Sequence, residues 1–112
     1  MFPNLKQKES TSIHVNEIDG LMNQINLIDV REVFEFETGS IQSAQNIPMN
    51  QLIKMPEKYL EKEKKYYVMC QSGMRSARTV AALQKAGYEV VQVRGGVGGY
   101  TGRYRINKIV NK

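Results

Sequence analysis

Short apolar segments alternate with segments of helical periodicity along the chain, and this alternation limits the possible folds more than any other feature. The second half shows it best: Tyr66–Met69 is rich in β-formers, residues 74–85 have a helical pattern, and Glu89–Val93 is again typical of a strand. Gly87 follows the helical segment and is a residue type common at helix C-termini. A strand, a helix and a second strand in this order form a right-handed crossover between parallel strands. The sequence therefore predicts an α/β domain with a small, mainly parallel central sheet flanked by helices.

The first half of the chain continues the alternation with shorter elements. Strands are predicted at Ser12–His14, Ile25–Val30 and Ala44–Ile47, and short helices at Arg31–Glu37 and Gln51–Met55. The second of these strands, INLIDV, is almost continuously apolar, as is typical of a parallel strand that is buried on both faces. A further helix is predicted after an N-cap at Asn16, with a core face of Ile18, Leu21 and Met22. The helix over residues 74–85 has a predicted core face of Ala77, Val80, Ala81 and Leu83.

The length and composition indicate one globular domain. A chain of 112 residues is long enough for one hydrophobic core and too short for two, and 41% apolar with 24% charged residues is average for a globular protein. We predict an N-terminal extension over residues 1–11, a domain over residues 12–102 and a basic C-terminal tail over residues 103–112. The tail, with Arg103, Arg105, Lys108 and Lys112, is expected to be solvated. The longest apolar run, residues 66–70, is too short to span a membrane, so no membrane partner is expected.

The charge is divided unevenly between the two halves of the chain. Residues 1–69 contain 8 Lys and Arg against 10 Asp and Glu, whereas residues 70–112 contain 8 against 1. A basic half favours an anionic ligand, and nucleic acid is the first such ligand to consider. The positive charges are scattered singly, without stacking aromatic residues between them. The sequence therefore favours a small anion and predicts no nucleic-acid partner.

The chain has one cysteine, Cys70, and one histidine, His14. A single cysteine excludes an internal disulfide, and the two residues together cannot form a zinc site of the usual Cys and His kind. We therefore expect no metal and no organic cofactor. A lone thiol and an N-terminus without a hydrophobic secretion signal predict a cytoplasmic protein. His14 is distant from Cys70 in the sequence and is expected on the surface of a strand, which argues against a Cys–His protease.

The segment CQSGMRS, residues 70–76, indicates chemistry. Cys70 ends a predicted strand, Gly73 lies in a turn, and a helix begins at about Met74. Backbone N–H groups of such a turn can surround the sulfur at the positive end of the helix, and both effects lower the pKa of a thiol. Arg75 adds a fixed positive charge whose planar guanidinium suits loop carbonyls or an oxyanion, and Arg78 follows one turn later on the same face. The segment therefore predicts a reactive thiolate at Cys70.

Each of these features has a structural explanation when taken alone. A lone cysteine is often a small buried apolar residue, a glycine often marks a turn, and arginines often line a solvated helix face. Their combination at one strand-to-helix junction favours a functional site. The segment GGVGG, residues 95–99, lacks the lysine and the hydroxyl of a nucleotide-binding P-loop and is predicted to be a close-packed turn.

Two long segments resemble the rhodanese family of sulfurtransferases in its single-domain form. CQSGMRSARTVAALQKAGYEVVQVRGGVGGY is similar to the active-site half of that family, and LIDVREVFEFETGSIQSAQNIPM is similar to its N-terminal half. The resemblance covers roughly residues 12–102. It implies that Cys70 takes a sulfane sulfur from a small anionic donor, such as thiosulfate or a persulfide. It also implies that the resulting persulfide passes this sulfur to cyanide or to a thiol, including a thiol on a protein.

The resemblance also implies roles for individual residues. Cys70 would be the nucleophile, and the cradle around its sulfur would consist of Gln71, Ser72, Gly73, Met74, Arg75 and Ser76. Asp29 and Arg31 match the DVR motif of the family and would support the site. Some positions depart from the family pattern: Ser40 replaces a frequent histidine, Tyr100 replaces a frequent tryptophan, and Gly98 and Gly99 replace larger residues. These departures concern packing or partner surfaces more than catalysis.

Two other functions compete with sulfur transfer to small molecules. Phosphatases and arsenate-reductase-like enzymes of related fold have one more residue between cysteine and arginine, whereas only Gln71–Met74 separate Cys70 from Arg75. The shorter loop predicts a tighter cradle that suits one sulfur atom better than a phosphoryl group. A module that relays sulfur to a specific protein, or only binds partners, stays open. The physiological donor and acceptor and the oligomeric state also stay open.

Overall fold

The computed structural model describes residues 12–109, which form a mixed α/β domain. The strands are β1 (Ser12–His14), β2 (Asn26–Asp29), β3 (Ser40–Ile41), β4 (Gln45–Asn46), β5 (Lys65–Met69), β6 (Glu89–Arg94) and β7 (Arg105–Ile106). The α-helices are α1 (Val33–Glu37), α2 (Met49–Lys54) and α3 (Met74–Lys85), and 3-10 turns lie at Val15–Leu21, Pro56–Lys58 and Val97–Gly99. Five strands form a parallel sheet in the order β1–β6–β5–β2–β4. The predicted fold class is therefore confirmed.

The central strands are buried on both faces, as their apolar sequences predict. Successive side chains of a strand point to opposite faces, so Leu27 and Ile28 in β2 belong to different clusters of buried residues. In the same way Val68 packs on the side of α2 and α3, and Met69 packs on the side of the first 3-10 turn. Cys70 follows directly and returns to the side of α3. The alternation of the sheet thus brings the thiol to the beginning of that helix.

Helix α3 has the predicted bounds, and the predicted burial of Val80 and Leu83 is confirmed, whereas the prediction is wrong for Ala77 and Ala81. The structure buries Ser76, Thr79, Val80 and Leu83, whereas Ala77 and Ala81 are exposed. Two hydroxyls can face the core because each donates a hydrogen bond to the helix backbone. The Ser76 hydroxyl donates to the Gly73 carbonyl at 3.1 Å, and the Thr79 hydroxyl donates to the Arg75 carbonyl at 2.8 Å.

The predicted helix after β1 is a 3-10 turn, and its N-cap is His14 instead of Asn16. The half-buried His14 accepts a hydrogen bond from the Asn16 N–H at Nδ1, at 3.1 Å. The Asn16 side chain instead connects to the end of the domain, donating to the Gly99 carbonyl at 3.1 Å and accepting from the Thr101 N–H at 2.8 Å. Ile18 is buried as predicted. The asparagine therefore makes a long-range contact in place of the predicted local one.

The described part of the basic tail contacts the domain. Strand β7 pairs antiparallel with β3, and neither strand was predicted because two residues are too few to show a periodicity. Arg105 is exposed, as expected of a solvated end, but its guanidinium also donates to the carbonyls of Val97 at 2.8 Å and Tyr100 at 3.0 Å, contacts that the sequence did not predict. The predicted extension over residues 1–11 and Lys112 lie outside the described residues. Within residues 12–109, no helix has the length and apolar character needed to cross a membrane.

Candidate active site

Cys70 lies between the end of β5 and the beginning of α3, as the sequence predicts. The residue before the helix, Gly73, has φ +118° and ψ −14°, a left-handed conformation that favours glycine. This turn directs two backbone N–H groups at the sulfur: that of Gly73 donates to Cys70 Sγ at 3.1 Å, and that of Ser76 donates at 3.3 Å. The thiol therefore lies among backbone donors at a helix N-terminus, an arrangement that stabilises a negative charge.

Two opposing effects set the pKa of the Cys70 thiol. Burial raises the pKa because the side chain, only 1% exposed, is removed from water. Hydrogen bonds from Ser76 and from the backbone N–H groups of Gly73 and Ser72 lower the pKa because they stabilise the thiolate. The hydrogen bonds prevail, and the pKa of Cys70 lies below its usual value. The thiolate is the nucleophilic form, so this environment favours reactivity.

The glycine-rich segment after β6 supports the Cys70 loop from outside. The Val97 N–H donates to the Cys70 carbonyl at 2.8 Å, and the Gly98 N–H donates to the Gln71 carbonyl at 2.9 Å. Gly96 allows this approach, since a Cβ at that position would lie 2.3 Å from the Cys70 carbonyl oxygen. The segment is thus the predicted close-packed turn, in which the absence of side chains lets its backbone contact the backbone of the Cys70 loop.

Asp29 and Arg31 form a buried ion pair beneath the loop. The Asp29 carboxylate accepts from the Arg31 backbone N–H at 3.0 Å and from the Arg31 Nη2 at 2.9 Å. The same guanidinium donates to the Gln71 Oε1 at 3.1 Å and to the Gly39 carbonyl at 2.6 Å. Arg31 therefore links the end of β2 to the residue that follows the cysteine.

Two of the positions that depart from the family pattern, Ser40 and Tyr100, have defined side-chain contacts in the structure. Ser40 is fully buried, and its hydroxyl donates to the Asp29 Oδ2 at 2.7 Å, which adds a further donor to the buried carboxylate. The buried Tyr100 donates its hydroxyl proton to Asp19 and accepts from the Tyr104 N–H at 2.8 Å. Burial raises the pKa of Tyr100, and the hydrogen bond to Asp19 raises it further. Both positions are thus part of the internal support of the domain.

Arg75 does not hold the loop carbonyls that its guanidinium was expected to hold. Its two terminal nitrogens donate to the Glu35 carboxylate across the loop at 2.7 Å and 3.0 Å. This pairing lowers the pKa of Glu35 to about 2, mainly through the hydrogen bonds from Arg75. Among residues 12–109 the expected contact of Arg75 with loop carbonyls is therefore absent, because a carboxylate on α1 offers the guanidinium a better-matched partner.

The structure brings most of the predicted site residues together, and it adds some that the sequence did not reveal. Glu35 was missed because its partner lies 40 residues away, and no local pattern marks it. Gln92, which donates to the Gly73 carbonyl at 3.0 Å, was also missed. Met74, a predicted cradle residue, exposes 71% of its surface, so only its backbone belongs to the loop wall. Arg78 is exposed one turn further along α3.

The arrangement suits nucleophilic chemistry at one sulfur atom. The cradle provides backbone N–H donors at about the distance of a hydrogen bond to sulfur and keeps the thiol buried at the junction of β5 and α3. Its chemistry would be attack by a thiolate without the help of a general base, since a lowered thiol pKa already provides the nucleophile.

Comparisons with known proteins agree with this geometry. The model of the rhodanese-like domain family matches residues 14–103. The Bacillus subtilis protein named "Putative sulfurtransferase YtwF" is 36% identical over 97 residues, which are 85% of this chain and 91% of YtwF. Another B. subtilis protein, "Uncharacterized protein YqhL", is 40% identical over 83 residues, which are 73% of this chain. The matched part is 65% of YqhL, so this chain spans slightly less than two thirds of that relative.

A solved structure gives the same result at the level of the fold. The rhodanese-related protein from Thermoplasma volcanium superimposes with a TM-score of 0.70 at 40% sequence identity, covering 77% of this chain and 85% of that one. The family match extends over strands β2 to β6, the Cys70 loop and the glycine-rich turn that supports it. The chain therefore belongs to the family of rhodanese-like domains.

Proposed function

We propose that this protein is a sulfurtransferase that carries a sulfane sulfur as a persulfide on Cys70. The observation that carries the proposal is the pair of backbone N–H groups, from Gly73 and Ser76, that donate to Cys70 Sγ at 3.1 Å and 3.3 Å. They lower the pKa of the thiol and would stabilise the negative charge of a bound persulfide. The single free cysteine suits a reducing compartment, and we place the reaction in the cytoplasm.

The reaction proceeds in two displacements. In the first, the Cys70 thiolate attacks the outer sulfur of thiosulfate, the sulfur–sulfur bond breaks, and sulfite leaves with the electron pair. In the second, an acceptor nucleophile attacks the outer sulfur of the persulfide, and Cys70 leaves as the thiolate. Cyanide becomes thiocyanate in this step, and a thiolate becomes a persulfide. Neither step requires an external oxidant or reductant, so the electrons balance within the cycle.

The residues around the cysteine have distinct parts in this scheme. The backbone from Gln71 to Ser76 forms the cradle, and Gly73 provides the left-handed turn that directs its N–H groups inward. Arg31 is a positioning residue that donates to Gln71 Oε1 at 3.1 Å, and Asp29 holds the Arg31 guanidinium in place. Arg75 supplies positive charge near the sulfur while its guanidinium is held by Glu35.

A sulfur relay to another protein is the second candidate function, and the burial of the cysteine favours it. Cys70 is 1% exposed, so an acceptor must present its nucleophile within the opening of the loop. Relay uses the same persulfide and differs only in the acceptor. Phosphatase activity is the weaker alternative, because only four residues separate Cys70 from Arg75. An activated aryl phosphate added to the unmodified protein tests it, and hydrolysis faster than sulfur transfer would contradict the scheme.

The proposed function is tested by intact-mass measurement after incubation with thiosulfate. We expect the mass to increase by one sulfur atom and to return to its original value after cyanide is added. Cys70→Ser is the control: it is nearly isosteric, should unfold at a similar denaturant concentration, and should show no increase. An unchanged mass in wild-type protein whose thiol still reacts with iodoacetamide would refute sulfur transfer by Cys70.

A further inference from the structure

The two most exposed apolar side chains lie next to the ion pair that flanks the Cys70 loop. Five large apolar residues are exposed among residues 12–109: Val33, Phe34, Met55, Met74 and Ile106. Phe34 and Met74 are the most exposed of these, at 70% and 71%. Each is the sequence neighbour of one member of the Glu35–Arg75 ion pair, so the segments that carry the two apolar residues meet at this pair, at the opening of the Cys70 loop. Exposed apolar clusters of this kind commonly mark interaction sites.

The charges at this opening differ between its two sides. On the side of α3, Arg78 follows Met74 by four residues, so the two side chains lie on one face of the helix. Arg78 is exposed, and the ion pairs found within residues 12–109 do not include it. On the side of α1, the exposed Glu32 adds a negative charge. The opening thus offers an unpaired cation on one side and an apolar residue, Phe34, on the other.

The depth of the cysteine limits the shape of an acceptor. Because Cys70 is 1% exposed, a flat protein surface cannot bring a thiol to its sulfur. A cysteine on an extended segment can reach it, and the residues that flank that cysteine would then contact the rim of the opening. The rim is defined here as Val33, Phe34, Met74 and Arg78.

We propose that the rim is a docking surface for a protein acceptor that presents its cysteine on an extended segment with an apolar residue and a carboxylate beside it. The inference rests on the proposed function and specifies its acceptor. The apolar residue packs on Phe34, and the carboxylate pairs with Arg78, whose charge no described neighbour compensates. Opposite charges at the edge of an interface guide the encounter and fix its orientation.

The transfer step itself is a simple displacement. The acceptor thiolate attacks the outer sulfur of the Cys70 persulfide, the bond between the two sulfur atoms of that persulfide breaks, and Cys70 leaves as the thiolate. The acceptor cysteine becomes a persulfide. Docking on the rim would accelerate this step by raising the local concentration of the acceptor thiolate, and it would not alter the transfer to cyanide.

The experiment uses two peptides with one cysteine each, one flanked by leucine and glutamate and the other by leucine and lysine. Wild-type protein is first loaded with thiosulfate, and loading is verified by intact mass. We expect the acidic peptide to be persulfidated with a KM about 5-fold lower than that of the basic peptide. Phe34→Ser should raise the KM for both peptides about 5-fold, and Arg78→Glu should reverse the preference between them.

Matched controls separate docking from chemistry. Met55→Ser removes an equally apolar exposed side chain at the end of α2, and Lys85→Glu reverses a charge in the last turn of α3; neither should change the two KM values. Loading by thiosulfate and discharge by cyanide should be unchanged in all four variants. Equal KM values for both peptides in wild type and Arg78→Glu would overturn the docking proposal alone. A failure of wild type to load would overturn the proposed function, and this inference with it.

Discussion

Glu35 and Arg75 join the beginnings of two helices that are 40 residues apart in the sequence, through hydrogen bonds of 2.7 Å and 3.0 Å. Glu35 also accepts from the Glu32 N–H at 2.9 Å, so the same carboxylate satisfies the N-terminus of its own helix. Arg75 is thereby fixed beside the Cys70 loop, with both terminal nitrogens on Glu35, and its positive charge also interacts with the Cys70 thiolate. This relationship separates two effects of Arg75 that the sequence does not separate: its charge and its bidentate geometry.

Substitution of Arg75 tests these two effects. Arg75→Ala should raise the pKa of the Cys70 thiol, because it removes a positive charge that stabilises the thiolate. Arg75→Lys should leave the thiol pKa near the wild-type value, because lysine retains the positive charge. It should lower the free energy of unfolding by about 0.5–1 kcal/mol, because lysine cannot form the two parallel hydrogen bonds to Glu35. The pH dependence of the alkylation rate and urea unfolding measure the two quantities. An unshifted thiol pKa in Arg75→Ala would show that the backbone donors alone activate the cysteine.

The Glu35 carboxylate predicts a loss of stability in acid. Its pKa is lowered from 4.5 to about 2 by Arg75, so folding favours the ionised form. The stabilisation is therefore complete above about pH 4.5 and is lost as the pH falls toward 2. For this partly exposed pair we expect about 1 kcal/mol. The difference in unfolding free energy between wild type and Glu35→Gln should shrink over that pH range.

A second pair serves as the control for the acid experiment. Glu61 and Lys64 form an exposed ion pair at 3.2 Å, and Glu61→Gln should show almost no pH-dependent difference from wild type. If the difference for Glu35→Gln is also flat between pH 4.5 and 2, the ion pair with Arg75 does not stabilise the folded protein.

The glycine-rich turn approaches the Cys70 loop closely at Gly96 and not at Gly99. Substitution by alanine should therefore destabilise the protein at the first position and leave its stability nearly unchanged at the second. Gly96→Ala places a Cβ 2.3 Å from the Cys70 carbonyl oxygen at φ +61°, so we expect a loss of about 2–4 kcal/mol and a slower alkylation of the thiol. Gly99→Ala is the matched control, since its Cβ would find its nearest contact at 3.9 Å and its stability should change by less than about 0.5 kcal/mol. Equal unfolding midpoints for the two variants would contradict the contact.

Arg105 supports the same turn from the other side. Its guanidinium donates to the Val97 carbonyl at 2.8 Å, and the Val97 N–H donates to the Cys70 carbonyl at 2.8 Å. Arg105→Gln should therefore cost about 1 kcal/mol in urea unfolding and should slow sulfur transfer by loosening the loop. Arg103→Gln removes an exposed arginine that lies over the Tyr104 ring, and it should be close to neutral. Similar losses in both variants would indicate a general effect of charge.

Local features of the sequence determined much of the fold and the position of the nucleophile. The bounds of the helix Met74–Lys85 and its place after a strand follow from periodicity and from the turn at Gly73, and both are found in the structure. The location of Cys70 at the carboxyl end of a central parallel strand follows from the same pattern. These properties depend on neighbours within a few residues, so a pattern along the chain can reveal them.

Contacts between distant segments were decided only by the tertiary structure. The partner of Arg75 is Glu35, and the partners of Arg105 are the carbonyls of Val97 and Tyr100. These contacts form because β2, which precedes α1, pairs with β5, and because β7 pairs with β3. The same holds for Asn16, whose amide bonds to the end of the domain instead of capping its own turn. A side chain with several possible partners takes the one that packing places at the right distance and angle, and that geometry exists only after the strands have assembled.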